Sequence, residues 1–180
     1  METVPTPLAW LANSMAGALL SDDIEELARR CVEENLAACR RVALAESCTG
    51  GLVTAALTEI PGSSKVLDRG FVTYSNEAKF EMLGVSNEIM DTFGAVSIAC
   101  VWAMAQGALE RSQADVAVAI SGVAGPDGGS DLKPVGTVVF ARVTRGEVGD
   151  PEGELRNFGN VGRAEVRRQA TLCALELLLP

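Results

Sequence analysis

The sequence predicts an α/β protein, a layered sheet of about five strands with helices between them. Three observations lead to this. Short apolar segments, "RVALAES", "GFVTYS", "DVAVAIS" and "GTVVFARV", have the length and β-branched content of strands. Between them lie longer stretches whose apolar residues recur every three or four positions, the spacing of a helix face. The two kinds of segment alternate nearly throughout the 180 residues, a length suited to one domain with its own core.

Taken in order, residues 8 to about 39 read as helical. Ser21 suits an N-cap, Asp22 and Asp23 favour a helix start, and Ile24, Leu27, Ala28, Cys31 and Val32 form an apolar stripe. Residues 1–39 are therefore expected to be a helical segment packed on the single domain that residues 40–180 build. "RVALAES" is a buried strand, and "GGLVTAALTEI" a helix ending at Pro61-Gly62. "GFVTYS" is the second strand, with helical turns through "NEAKFEML". Ser86 caps a further short helix, and Ser97 caps a long one that runs to Arg111. "DVAVAIS" is the third strand, and "GVAGPDGGSDLKPVG" is loop by composition. "GTVVFARV" is the fourth strand, "GEVGDPEGE" a solvated turn, and "ELRNF" a fifth strand. From Arg163 a closing helix runs to the C-terminal end.

Composition excludes several function classes. Fifteen basic against 24 acidic residues give a net charge of −9, which argues against a nucleic-acid partner, since phosphate backbones call for a basic footprint. No apolar run approaches a membrane span, and no Lys or Arg precedes Arg29, so a secretory signal is not expected. The five cysteines, Cys31, Cys39, Cys48, Cys100 and Cys173, are scattered without metal-site spacing, as suits a reducing cytoplasm. The chain has no histidine. Ser-His-Asp and Cys-His catalysis are therefore impossible, and with no carboxylate cluster either, no metal is expected. A nucleophile must be activated by another group. The lysines Lys65, Lys79 and Lys133 and the single tyrosine, Tyr74, are the few basic or phenolic candidates.

Four stretches could carry chemistry. In "ALAESCTGGLVTAAL" three candidate nucleophiles, Ser47, Cys48 and Thr49, stand where a strand turns into a helix. The helix end offers backbone N–H groups to a phosphate or oxyanion, and Gly50 and Gly51 permit close approach. An ordinary N-cap, with Ser47 or Thr49 capping the helix beside Glu46, accounts for the same pattern. In "GFVTYSNEAKFEML", Ser75 and Lys79 share a helix face if the helix begins at Ser75. Lys79 could be a base or only a solvated partner of Glu77 or Glu81. "ISGVAGPDGGSDLKPVG" sets five glycines between two buried strands, which fits a ligand loop at strand ends better than an idle connection. Arg163, Arg167 and Arg168 stand in the first turns of the last helix, against its dipole, either to recruit an anion or to pair with carboxylates.

Read together, "AESCTGG", "PGSS", "RGFVTYSNEAK", "LGV", "GAVS", "SGVAGPDGGS", "KPVGTV" and "EVRRQA" resemble the CinA C-terminal domain family over residues 40 to 178. Members of that family are nicotinamide-nucleotide amidohydrolases, which convert nicotinamide mononucleotide to nicotinic acid mononucleotide and ammonia. The resemblance implies a three-layer α/β/α fold with a mixed, mostly parallel sheet. It also implies a small nucleotide substrate, no cofactor and a homo-oligomer. It further implies a stand-alone form, without the second domain found upstream in longer members.

Residue by residue, the resemblance places the nucleophile at Ser47 and the base at Lys79, with Tyr74 near enough to relay or orient. Thr49, Gly50, Gly51, Ser121, Gly122, Gly125, Lys133, Arg163 and Arg167 are then expected around the substrate. Backbone N–H groups near Thr49-Gly50 or Gly122 are the expected oxyanion donors. One departure stands out: where the family reads Gly-Asp-Arg before the last helix, this chain has "GNVGR". Cys48 is the better intrinsic nucleophile but lacks an evident activator. The rival reading from another class is a non-catalytic nucleotide-binding or regulatory module.

Overall fold

The computed structural model describes residues 20–147 and 153–180. The helix expected over residues 8–19 and most of the "GEVGDPEGE" turn lie outside the described residues. The elements run α1 (Asp22–Ala37), β1 (Val42–Glu46), α2 (Leu52–Glu59), β2 (Leu67–Val72), α3 (Asn76–Leu83), α4 (Asn87–Phe93), α5 (Ile98–Glu110), β3 (Val116–Gly122), β4 (Thr137–Thr144), β5 (Gly153–Asn157) and α6 (Arg163–Leu177). A 3-10 turn, Ser63–Lys65, leads into β2. None of the described helices is long and apolar enough to cross a membrane.

The five strands form one mixed sheet in the order β2-β1-β3-β4-β5. β1 pairs in parallel with β2 and β3, whereas β4 is antiparallel to both of its neighbours, so β4 alone runs against the other four. β2 begins three residues earlier than its apolar pattern suggests and ends at Val72, leaving Tyr74 beyond the strand. It is an edge strand, half-buried or exposed along its length, so alternation marks it weakly.

Successive strand residues point to opposite faces, and here the two faces differ in size. Val42, Leu44, Val118, Ile120, Val138 and Phe140 face the core shared with α1, α2 and α6. Ala43, Ala45, Ala117, Ala119 and Ala141 face the core shared with α3, α4 and α5. Small side chains on this second face let α5 lie close to the strands. α3 is drawn in as tightly. A Cβ built on Gly107 of α5 would stand 2.0 Å from the Leu83 carbonyl oxygen at the end of α3. Gly107→Ala is therefore expected to force the two helices apart at a cost of about 1–3 kcal/mol. For a chain of this size that is a fall of about 2–4 °C in melting temperature per kcal/mol, readable by thermal circular dichroism. An unchanged melting temperature contradicts the close packing.

Chain direction positions the site. β1 leads through α2 to β2 on one side, and β2 leads through α3, α4 and α5 to β3 on the other. The carboxyl ends of β1 and β3 thus flank a crevice where the crossovers diverge, the place where open α/β sheets bind ligands.

Candidate active site

Ser47 follows the last residue of β1, and its N–H donates to Ile120 O at 3.0 Å, so the β3 neighbour fixes its backbone. The strand's alternation sends Glu46 and Ser47 opposite ways. Glu46 is fully buried on the α2 side. Its carboxylate accepts from the N–H groups of Gly51 (2.9 Å), Val53 (3.3 Å) and Thr54 (2.9 Å) and from the Thr54 hydroxyl (2.7 Å). A helix start has orphan N–H groups and a positive dipole end, and the carboxylate answers both. Glu46, rather than Ser47 or Thr49, is thus the side-chain cap of α2, while Gly51 takes the N-cap position with φ 94°.

Ser47 turns to the other face, toward α3. There Ser75 caps the helix, its Oγ accepting from Ala78 N at 3.0 Å, which places Lys79 on the inward side. Lys79 is 1% exposed. Its Nζ lies 3.3 Å from Ser47 Oγ and donates to Thr73 O at 2.9 Å, with Tyr74 O and Ser75 O at 3.4 Å. No carboxylate is among these partners. Burial holds the amine below the usual lysine range, since removing water penalises the charged form. A neutral amine can still donate to the carbonyls and turn its lone pair to the serine.

A cleft of about 230 Å³ opens over this pair, lined by Ser47, Lys79, Tyr74, Ser121, Gly122 and Arg163, with Cys48 and Ala124 beside them. Asn76, Ala95 and Val96 also line it. Sequence reasoning missed these three and Glu46. Their places in "YSNEAK" and "GAVS" were the signals that could have suggested all three. Tyr74 is largely exposed, and its hydroxyl accepts from Arg163 Nη2 at 3.0 Å. Its backbone carbonyl, not its phenol, meets Lys79.

The remaining expected residues stand behind the lining. Gly50 N–H donates to Ser47 O at 3.0 Å, and Gly51 N–H is held by Glu46. Gly125 O accepts from Arg163 Nη1 at 2.9 Å. Lys133 Nζ donates to Phe93 O at 2.7 Å, tying the Gly-rich loop to the end of α4. Arg167 reaches the turn itself, Nε to Cys48 O at 3.1 Å and Nη2 to Thr49 O at 2.9 Å. Arg168 pairs with Glu165 and Asp23. Thr49 is buried and its hydroxyl has no partner among the described residues. The N–H groups of Cys48 and Thr49 donate to no backbone carbonyl among the described residues. No group of three or more Cys, Asp or Glu side chains among the described residues is placed to hold a metal ion.

Cys48 is 5% exposed, and burial pushes its thiol up to about 12. At neutral pH it is a thiol, which is a poor nucleophile. Iodoacetamide is expected to label the exposed Cys39 in the folded protein and to spare Cys48, as read by peptide mass mapping. Rapid alkylation of Cys48 contradicts this burial.

The comparisons with known proteins agree with this architecture. A model of the family described as the CinA C-terminal domain matches residues 24–180. The chain belongs to that family. Among CinA relatives, the nicotinamide-nucleotide amidohydrolase PncC of Escherichia coli K12 is 56% identical over 139 residues, covering 76% of this chain and 81% of that protein. The CinA-like protein of Shewanella loihica is 44% identical over 170 residues, 94% of this chain but 39% of the relative. That of Mycobacterium marinum is 51% identical over 143 residues, 79% of this chain and 33% of the relative. The chain thus spans between a third and two fifths of these longer CinA-like proteins. Among solved structures, the competence/damage inducible protein CihA of Agrobacterium tumefaciens superposes with a TM-score of 0.86 at 51% identity, covering 90% of this chain and 97% of that one. A CinA superfamily protein of Klebsiella pneumoniae gives 0.80 at 41% identity, covering 86% and 94%.

Proposed function

We propose that this chain is an amidase that hydrolyses nicotinamide mononucleotide to nicotinic acid mononucleotide and ammonia, with Ser47 as nucleophile and Lys79 as base. The observation that carries the reading is a buried lysine amine, free of any carboxylate, 3.3 Å from a serine hydroxyl at the floor of a cleft. The likeness to PncC supports the substrate.

In this mechanism Ser47 Oγ attacks the carboxamide carbon while its proton passes to Lys79. The oxyanion meets the N–H groups of Cys48 and Thr49, which no backbone carbonyl takes. The tetrahedral adduct collapses, the C–N bond breaks, and the Lys79 ammonium protonates the departing nitrogen to give ammonia. Water then attacks the acyl-enzyme with Lys79 again as proton acceptor, and the acid leaves as the serine regains its proton. Arg163, at the cleft wall, has N–H donors beyond those given to Gly125 and Tyr74. It is the group assigned to the substrate phosphate. Tyr74 holds Arg163 rather than relaying a proton. No cofactor enters, and the working form is a cytoplasmic homo-oligomer.

The test is ammonia release from nicotinamide mononucleotide by the purified chain, with the acid product identified by mass spectrometry. Binding of the nucleotide without ammonia sinks the amidase reading and leaves the nucleotide-binding module. The pH profile is a second check. Only the neutral amine accepts a proton, so kcat/KM is expected to fall as pH drops through the Lys79 pKa, at a midpoint below the ordinary 10.5.

A further inference from the structure

We propose that Arg167 is a positioning residue for the nucleophile turn, aiming the Thr49 N–H at the oxyanion rather than binding the substrate's anionic group. The inference rests on Ser47 being the nucleophile. Residues 47–50 form a turn held from two sides. Glu46 occupies the first N–H groups of α2, and Arg167, on the second turn of α6, takes the carbonyls of Cys48 and Thr49.

Peptide planarity converts that grip into an orientation. In a trans peptide the C=O and the following N–H point in opposite directions. The Cys48 carbonyl points at Arg167, so the Thr49 N–H points away from α6. The Thr49 carbonyl also points at Arg167, and the opposed Gly50 N–H closes on Ser47 O. Of the two peptides that Arg167 orients, one N–H is consumed within the turn. The other, that of Thr49, is taken by no backbone carbonyl among the described residues and lies two positions after Ser47. A cation on the carbonyl side also polarises that amide and strengthens it as a donor. The planar guanidinium suits this task, since its fork can meet two carbonyls at once where an ammonium acts as a point charge. The Arg167 guanidinium has no carboxylate partner among the described residues and spends its bonds on these two carbonyls.

The test separates orientation from anion binding. In Arg167→Met, kcat for ammonia release is expected to fall on the order of 100-fold, the scale of losing one oxyanion donor, with KM little changed. Arg167→Lys, which keeps a donor for one carbonyl, is expected to recover part of kcat and to fold even where the Met variant is destabilised. A raised KM at unchanged kcat in either variant overturns the proposal and returns Arg167 to substrate binding. Phosphonylation of Ser47 by a fluorophosphonate reagent, followed by intact mass, reads the same oxyanion donors without any amide substrate. Slower labelling in Arg167→Met than in the unaltered protein is expected, and equal rates overturn the proposal. Labelling of the unaltered protein together with no ammonia release defeats the amidase reading alone.

Discussion

Ser47→Ala is expected to lower ammonia release from nicotinamide mononucleotide by about 10⁴-fold or more, the scale seen when a serine nucleophile is removed from a working set. Binding of the nucleotide and the melting temperature should stay close to those of the unaltered protein. The reason lies in how the site is built. The Ser47 backbone is fixed by its N–H to Ile120 O, and the adjoining turn is gripped by Glu46 and Arg167. Removing one hydroxyl therefore deletes the nucleophile without loosening its frame. Cys48→Ala is the matched control, one residue along and also lining the cleft, and is expected to keep its activity. Near-normal turnover in Ser47→Ala transfers the role to a neighbour, and loss of activity in Cys48→Ala at an unchanged melting temperature points to the thiol.

The second large effect is expected at Lys79. Lys79→Ala should reduce kcat by about 10²–10⁴-fold with a small change in KM, the pattern of an interaction made only in the transition state. Lys79→Met keeps most of the side-chain volume and guards against attributing the loss to a cavity. The acid limb of the pH profile should vanish from the residual activity of both variants. Lys65→Ala, in the 3-10 turn, should change little. Lys133→Ala frees the Gly-rich loop from Phe93 O and is expected to weaken affinity without abolishing turnover. A raised KM at unchanged kcat in Lys79→Ala reassigns that residue to substrate binding.

Much of this was legible in the sequence, for identifiable reasons. Scarcity did much of the work: with no histidine and three lysines, few bases could serve any nucleophile. Strand-helix alternation placed Ser47 and Ser121 at strand ends. Three features were hidden. The capping role of Glu46 depends on which face of β1 it takes, and a residue beside the candidate nucleophile reads as a bystander until the helix start is located. Arg167 and Lys133 have backbone carbonyls as partners, and carbonyls carry no residue identity. Neither contact could therefore be read from charge and spacing. Ala95 and Val96 stand between α4 and α5 and enter the cleft because α5 packs against β1 and β3. The late start assigned to β2 has another cause, since an edge strand buries too little for an apolar pattern to mark its first residues.

Tyr74 is the only tyrosine in the chain, and its hydroxyl accepts from Arg163 at the wall of the cleft. Isotopic labelling of tyrosine alone therefore places one magnetic-resonance signal in the protein, and it needs no assignment. That signal sits beside the cation assigned to the substrate phosphate, so a ligand that draws Arg163 away changes the shielding of the phenol ring. Titration of such a sample gives occupancy of the cleft directly, in catalytically dead variants as readily as in active protein.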